Sequence, residues 1–175
     1  MDLTIVQKET PVLRAKAAVV AASEFGTSAL QKLLTHMSTA LAACDDGVAL
    51  AAPQIGIAKS IFIVSGKVFR ENKDDPVPAD LVFINSKMKK LSSTKLVMDE
   101  GCLSVRGVYG KIERSEKASV TAYDAAGNKF TRGASGLLAQ IFQHEMDHLD
   151  GVLFIDKAVS VEEVRRGEGA VDSSR

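Results

Sequence analysis

Ser135-Gly-Leu-Leu-Ala-Gln-Ile-Phe-Gln-His-Glu-Met-Asp-His-Leu-Asp-Gly151 is the stretch on which the fold turns. Leu137, Leu138, Ile141, Met146 and Leu149 recur at helical spacing, which predicts an amphipathic helix beginning near Ser135 and stopping at Gly151. His144 and His148 stand at i and i+4 on it, so they project from one face about one turn apart. Two imidazoles placed that way can share one metal ion, and Glu145 beside them can reach a water activated by that ion. The competing reading is a solvated helix face that happens to carry two of the chain's three His. The i,i+4 pairing on a helix favours the metal.

Outward from this helix the chain reads mostly as strands. A second helix, Ser28 to Cys44, carries Leu30, Leu33, Leu34, Met37 and Leu41 on one stripe, with Thr27 or Ser28 as its cap and Asp45-Asp46-Gly47 as its stop. Gly47–Gly56 is rich in Ala and Gly and contains Pro53, which predicts a loop or irregular strand allowing close backbone approach. Strands are expected at Ile57–Val64, Leu81–Ile84 and Lys95–Met98, with a Pro-rich and Asp-rich loop at Asn72–Asp80. Ala118–Tyr123 and Lys129–Thr131 flank Asp124-Ala-Ala-Gly-Asn128, a hairpin pattern, and Val152–Ile155 reads as a last strand. The expected class is α+β: mostly antiparallel or mixed sheets packed around a central metal-binding helix, with a second helix near the N-terminus.

The length of 175 residues predicts a single domain, 1–166, and a frayed tail, 167–175. Lys+Arg and Asp+Glu are both 22, so a net charge of zero argues against a general grip on nucleic acid or an anionic membrane. No apolar run reaches the ~18 residues of a spanning helix. The N-terminus carries no clear targeting pattern; Arg14–Ser23, two cations before a short apolar run, is the nearest imitation. Without secretion, Cys44 and Cys102 are expected as reduced thiols.

Two histidines do not complete a site, because catalytic zinc-type centres use about three protein ligands and an open position. The extended protease motif HExxHxxGxxH has its third His downstream; Gly151 fits its glycine, but Phe154 stands at the His position. Asp150 is too close, and Asp156, Glu162 and Glu163 lie in a strand or the tail. The better candidate is upstream, Cys102 in Glu100-Gly101-Cys102-Leu103-Ser104, where a turn would display a thiolate. Cys44, at a helix end, reads as a small buried hydrophobe.

Three segments together resemble the signatures of the peptide deformylases: Gly47-Val-Ala-Leu-Ala-Ala-Pro-Gln54 is similar to GxGxAAxQ, Glu100–Ser104 matches EGCLS, and Gln143–His148 matches QHExDH. Their order and spacing agree, and weaker likeness runs from Pro11 to Asp156. The resemblance implies removal of the N-formyl group from the initiator methionine of new polypeptides. It implies one divalent ion held by Cys102, His144 and His148, usually Fe(II), with Zn, Ni or Co as alternatives in purified protein. It implies that Gln54 and the Leu103 backbone N–H polarise the formyl oxygen. N-formyl-methionyl nascent peptides are the expected partner and the ribosome near the exit tunnel a further candidate. The expected compartment is a bacterial cytoplasm, or an organelle matrix after removal of an import signal.

The chemistry is coherent with these residues. A divalent ion lowers the pKa of bound water from 15.7 toward ~7. Glu145 can take the water's proton and pass it to the departing nitrogen. Gln54 is a neutral donor suited to a developing oxyanion, or else a loop-stabilising side chain. For the methionine side chain, Leu137 and Ile141 can form a wall on the helix, with Val48 and Met98 as partners; Leu137 reads equally well as core. Gly47–Leu50 can align the peptide backbone as an added strand, with Gly101 beside the metal turn. Arg114 reads as a contact for the substrate's carboxylate side or as a solvated cation.

Three positions and one segment depart from the family pattern. Ala49 replaces the second glycine of the first motif, and Arg106 stands where many relatives place Pro. Gln140 puts an amide on the metal-facing side of the helix, and burying it without a partner would cost roughly 1–3 kcal/mol. Ser160–Arg166, with Ser160 and Glu163 as a capping box, is at most a remnant of a C-terminal helix. Two alternatives accompany the leading one: a zincin-like metallopeptidase, and a non-catalytic deformylase-like metal-binding protein.

Overall fold

The computed structural model describes residues 4–72 and 74–164. Two helices are present, α1 (Ser28–Ala42) and α2 (Gly136–Leu149). Eight strands accompany them: β1 (Ala49–Ala51), β2 (Ile61–Val64), β3 (Leu81–Leu91), β4 (Lys95–Gly101), β5 (Val108–Ser115), β6 (Lys117–Tyr123), β7 (Lys129–Ser135) and β8 (Ser160–Glu163). One sheet has the order β1-β2-β3-β6-β7 and the other β4-β5-β8, with every ladder antiparallel. The α+β class expected from the sequence is the one observed.

Strand β2 explains how the layers stack. Its four residues are all buried, and alternation sends Ile61 and Ile63 to one face and Phe62 and Val64 to the other. The first face meets Leu30, Leu33, Leu34, Met37 and Leu41 of α1. The second meets Ala139, Ile141, Phe142 and Leu149 of α2. The five-stranded sheet is thus sandwiched between the helices. Phe83 stacks on Phe62 with ring centroids 4.6 Å apart and meets Phe142 edge-on at 5.2 Å. The smaller sheet lies over a third cluster of Leu13, Val105, Ile112, Leu153 and Phe154.

Two glycines allow the close approaches that frame the site. At Gly151, φ is +75° and a Cβ would lie 2.7 Å from the Arg14 carbonyl oxygen, so α2 ends against the N-terminal segment only with glycine. At Gly47, a Cβ would collide with Leu41 and Cys44 where the chain leaves α1.

Several sequence expectations need correction. The Ile57–Val64 strand starts only at Ile61, because Ser60 N–H is taken by Ala18 O and Lys59 N–H by Ile57 O. Strands Leu81–Ile84 and Lys95–Met98 run on to Leu91 and Gly101 by pairing with β6 and β5. Val152–Ile155 is not a strand: Phe154–Asp156 forms a 3-10 turn whose Asp156 carboxylate accepts the Leu153 N–H at 2.9 Å. Ser160–Glu163 is strand β8, not a helical remnant, since the free edge of β5 offers backbone bonds that a one-turn helix lacks. Arg165 and Arg166, and the tail from Gly167, lie outside the described residues.

The aromatic cluster gives a direct test. Phe83→Ala removes a fully buried ring contacting Phe62, Phe130 and Phe142, and should lower unfolding free energy by about 3–5 kcal/mol in urea titration.

Candidate active site

Strand β4 and helix α2 bring the chemistry together. Cys102 follows the last residue of β4, and α2 presents His144 and His148 toward it. The Cys102 sulfur and one ring nitrogen from each histidine lie within 4.8 Å of one another, the metal-competent group among the described residues. Cys102 Sγ is 3.2 Å from His148 Nε2. Ligand atoms sharing one ion at ~2.0–2.3 Å stand roughly 3–4 Å apart, so the donor set fits a metal.

Hydrogen bonds orient His144. Glu100 Oε1 accepts from His144 Nδ1 at 2.6 Å, which leaves the opposite ring nitrogen for an ion. Arg114 grips the same carboxylate through Nε at 3.1 Å and Nη2 at 2.6 Å, and reaches Asp147 through Nη1 at 2.6 Å. Burial alone would raise the Glu100 carboxyl, but hydrogen bonds from His144 and Arg114 outweigh it and bring it down to about 2. Burial and the neighbouring His144 push His148 well down, while hydrogen bonds with Cys102 and Glu100 hold His144 well up against its burial. Cys102 Sγ also faces the Ser104 N–H at 3.4 Å and Gln54 Nε2 at 3.6 Å.

Glu145 is 3% exposed, and its Oε2 has no hydrogen-bond partner among the described residues. Burial raises its carboxyl to about 7; the positive charges of His144 and Arg114 oppose the rise, while Glu100 and Asp147 add to it. Gln54 is equally buried. The Ala51 N–H donates to its Oε1 at 2.8 Å, which turns Nε2 toward Cys102 and Ser104. Gln143 anchors the helix by bonding the Ser115 N–H and C=O, each at 2.9 Å.

A cleft of about 280 Å³ opens over these groups, lined by Gly47, Val48, Ala49, Gln54, Glu100, Gly101, Cys102, Leu103, Leu137, Gln140, Ile141, His144 and Glu145, among others. Val48 and Leu137 are 39% and 54% exposed at its rim, which favours pocket over core for Leu137. Met98 is not brought to the cleft: it lies on β4 paired with Ile112, four residues and roughly 13 Å of strand before Cys102. Arg114 is neither solvated nor at the cleft. It is 4% exposed and committed to two carboxylates. Gln140 has found partners, donating to the Asp99 carbonyl at 2.9 Å and Glu100 Oε2 at 3.2 Å. Arg106 pairs with Asp46 across the rim at 2.6 Å.

Known proteins resemble this chain over most of its length. The family model described as polypeptide deformylase matches residues 2–164. The chain belongs to the polypeptide deformylase family. Peptide deformylase of Desulforudis audaxviator is 36% identical over 157 residues, 90% of this chain and 94% of that one. Peptide deformylase 1A, chloroplastic/mitochondrial, of Arabidopsis thaliana is 37% identical over 164 residues, and the match spans 89% of this chain and 61% of that one. A crystal structure of class I type b peptide deformylase from Acinetobacter baumannii with Met-Ala-Ser bound superposes with a TM-score of 0.80 at 33% identity, covering 90% and 98% of the two chains.

Among the described residues of this deformylase family member, none downstream of α2 joins the metal-competent group. Phe154 stacks on the His144 ring at 6.4 Å, Asp156 pairs with Arg14, and Asp150 with Lys16. The zincin-like alternative therefore lacks its third ligand. Sequence reading missed Glu100 and Gln7. Gln7 Nε2 donates to Leu103 O at 3.1 Å and its Oε1 accepts the Arg106 N–H at 3.3 Å, pinning the cysteine turn from 96 residues away. A lone Gln near the N-terminus carries no signal for that. No helix among the described residues is long and apolar enough to cross a membrane.

Because Glu100 titrates at about 2 in the folded chain against an ordinary 4.5, its contribution to stability is complete above pH 4.5. It is lost as pH falls through about 2. The thermal stability deficit of Glu100→Gln relative to wild type should therefore shrink across that window. A constant deficit from pH 6 to pH 2 would contradict the assignment.

Proposed function

We propose that this chain hydrolyses the N-formyl group of formyl-methionyl peptides, releasing formate, with Cys102, His144 and His148 holding one divalent ion. The observation that carries the reading is the convergence of one sulfur and two ring nitrogens within 4.8 Å, beside a buried carboxylate with a free oxygen. When bound, the ion supplies a Lewis acid that makes water nucleophilic near neutral pH.

The chain's own residues then divide the work. Glu145 takes the proton of the attacking water at its carboxylate and delivers it to the leaving nitrogen. Its buried Oε2, which has no hydrogen-bond partner among the described residues, is free to accept and pass on that proton. Gln54 Nε2, held in orientation by the Ala51 N–H, donates to the developing oxyanion, and the Leu103 N–H joins it from the turn that Gln7 fixes. Strand β1 is the edge of its sheet, so the free side of Gly47–Leu50 can pair with an extended peptide. Ala49 is part of that strand and packs at 7% exposure, so its methyl group leaves the edge intact. Val48, Leu137 and Ile141, with Gly101 opposite, form the apolar recess for methionine.

Fe(II) is the ion we assign, with Zn, Ni or Co able to take its place in the purified protein. A mixed thiolate and imidazole set accepts all of them, so availability decides. Nascent chains at the ribosome are the source of substrate in this reading, within a bacterial cytoplasm or an organelle matrix.

A pair of variants separates binding from chemistry. Cys102→Ala should lose bound metal and turnover together. Glu145→Gln should keep one metal per chain, yet lose at least ~10²-fold in kcat on a formyl-Met-peptide. Near-normal turnover in Glu145→Gln would falsify the proton-transfer role.

The choice of iron has its own check. A thiolate on Fe(II) in an open cleft is exposed to oxidation, so the iron form should lose activity in air faster than a nickel form. Equal lifetimes would count against iron.

A further inference from the structure

We infer that Gln140 is a positioning residue for the metal-binding cluster, acting by tying the end of β4 to the face of α2 that carries His144. Its amide nitrogen donates twice, to the Asp99 carbonyl at 2.9 Å and to Glu100 Oε2 at 3.2 Å. Both neighbours are acceptors only, so the nitrogen must face them. Glu100 is the hub. Its Oε1 accepts from His144 Nδ1 and Arg114 Nη2, and its Oε2 from Arg114 Nε and Gln140 Nε2. These bonds fill the roughly four acceptor sites of a carboxylate.

The placement makes the effect specific. Gln140 sits one turn before His144 on α2, and Asp99 three residues before Cys102. Gln140 therefore adds a second direct tie, beside the Glu100–His144 bond, between the element that supplies the sulfur and the element that supplies both imidazoles. Gln140 also orients Glu100, which in turn orients the His144 ring. A residue that bonds a metal ligand directly is typically worth 10–100-fold in metal affinity or activity. Gln140 acts one bond further out, so a smaller factor is expected.

This inference rests on the metal reading above. It is tested on the full chain loaded with Co(II), comparing wild type with Gln140→Met, which keeps length and loses the donors, and Gln140→Glu, which turns an acceptor toward Glu100. Release of Co(II) into excess EDTA is followed by the visible absorbance of the thiolate-bound ion, and kcat and KM are measured on a formyl-Met-peptide. Gln140→Met should release Co(II) about 3–10-fold faster. Its kcat should fall by a similar factor, with KM held within about twofold. Gln140→Glu should release it faster still, and metal-free Gln140→Met should melt close to the metal-free wild type. Wild-type release rates with a shifted KM would make Gln140 a wall of the substrate recess and overturn the proposal. So would equal release from the two variants accompanied by a large loss of metal-free stability, which would mark a packing role. Wild-type protein that takes up no stoichiometric Co(II) would overturn both this proposal and the metal reading. A failure confined to the Gln140 variants leaves the metal reading standing.

Discussion

The Glu100 carboxylate, buried between the small sheet and helix α2, is the constraint around which the site is organised. It stands next to the last residue of β4, holds the His144 ring, and is itself held by a bidentate guanidinium. Leaving such a carboxylate unpaired inside a protein is strongly unfavourable, so the interaction requires Arg114 to be buried as well. Arg114 in turn requires Asp147, which Lys157 completes from the 3-10 turn after α2. A chain of charges thus runs from the strand that bears Cys102, through the helix that bears the histidines, to the segment that follows it. Glu100, Arg114, Asp147 and Lys157 thus form one network in which each charge is answered by another, and Glu145 stands outside it.

This network was largely invisible in the sequence, whereas the residues it serves were plain. His144, Glu145 and His148 announce themselves because one helix encodes their geometry locally. Cys102 was readable through its flanking residues, and α1 through its leucine spacing. Gln140, Arg114 and Gln7 were not, because their roles depend on partners 14 to 99 residues away. Strand β5 was missed for a related reason: Tyr109-Gly-Lys-Ile-Glu-Arg114 carries charge and glycine, and its strand character comes from pairing with β4 and β8. Ser160–Glu163 was misread because a capping-box pattern is local while the edge it pairs with is not.

The division of labour along α2 ties stability to chemistry. One side delivers His144 and Glu145 to the cleft and His148 to the cysteine beneath it, and the other packs Ala139, Phe142 and Leu149 on the central sheet. A helix committed on both sides has little freedom to relax, which suits a site needing ligands held within a few tenths of an ångström. The exposed groups lie instead at the rim, at Val48, Leu137 and the Asp46–Arg106 pair.

Strand β2 carries a further consequence. Its side chains feed the hydrophobic layers on both sides of the sheet, and its backbone is bonded to β1 and β3 on either edge. No partial opening can wet Ile61–Val64 without separating a helix from the sheet. The amide protons of these residues should therefore be among the last in the molecule to trade with solvent deuterium, at a rate that reports the free energy of opening the whole structure.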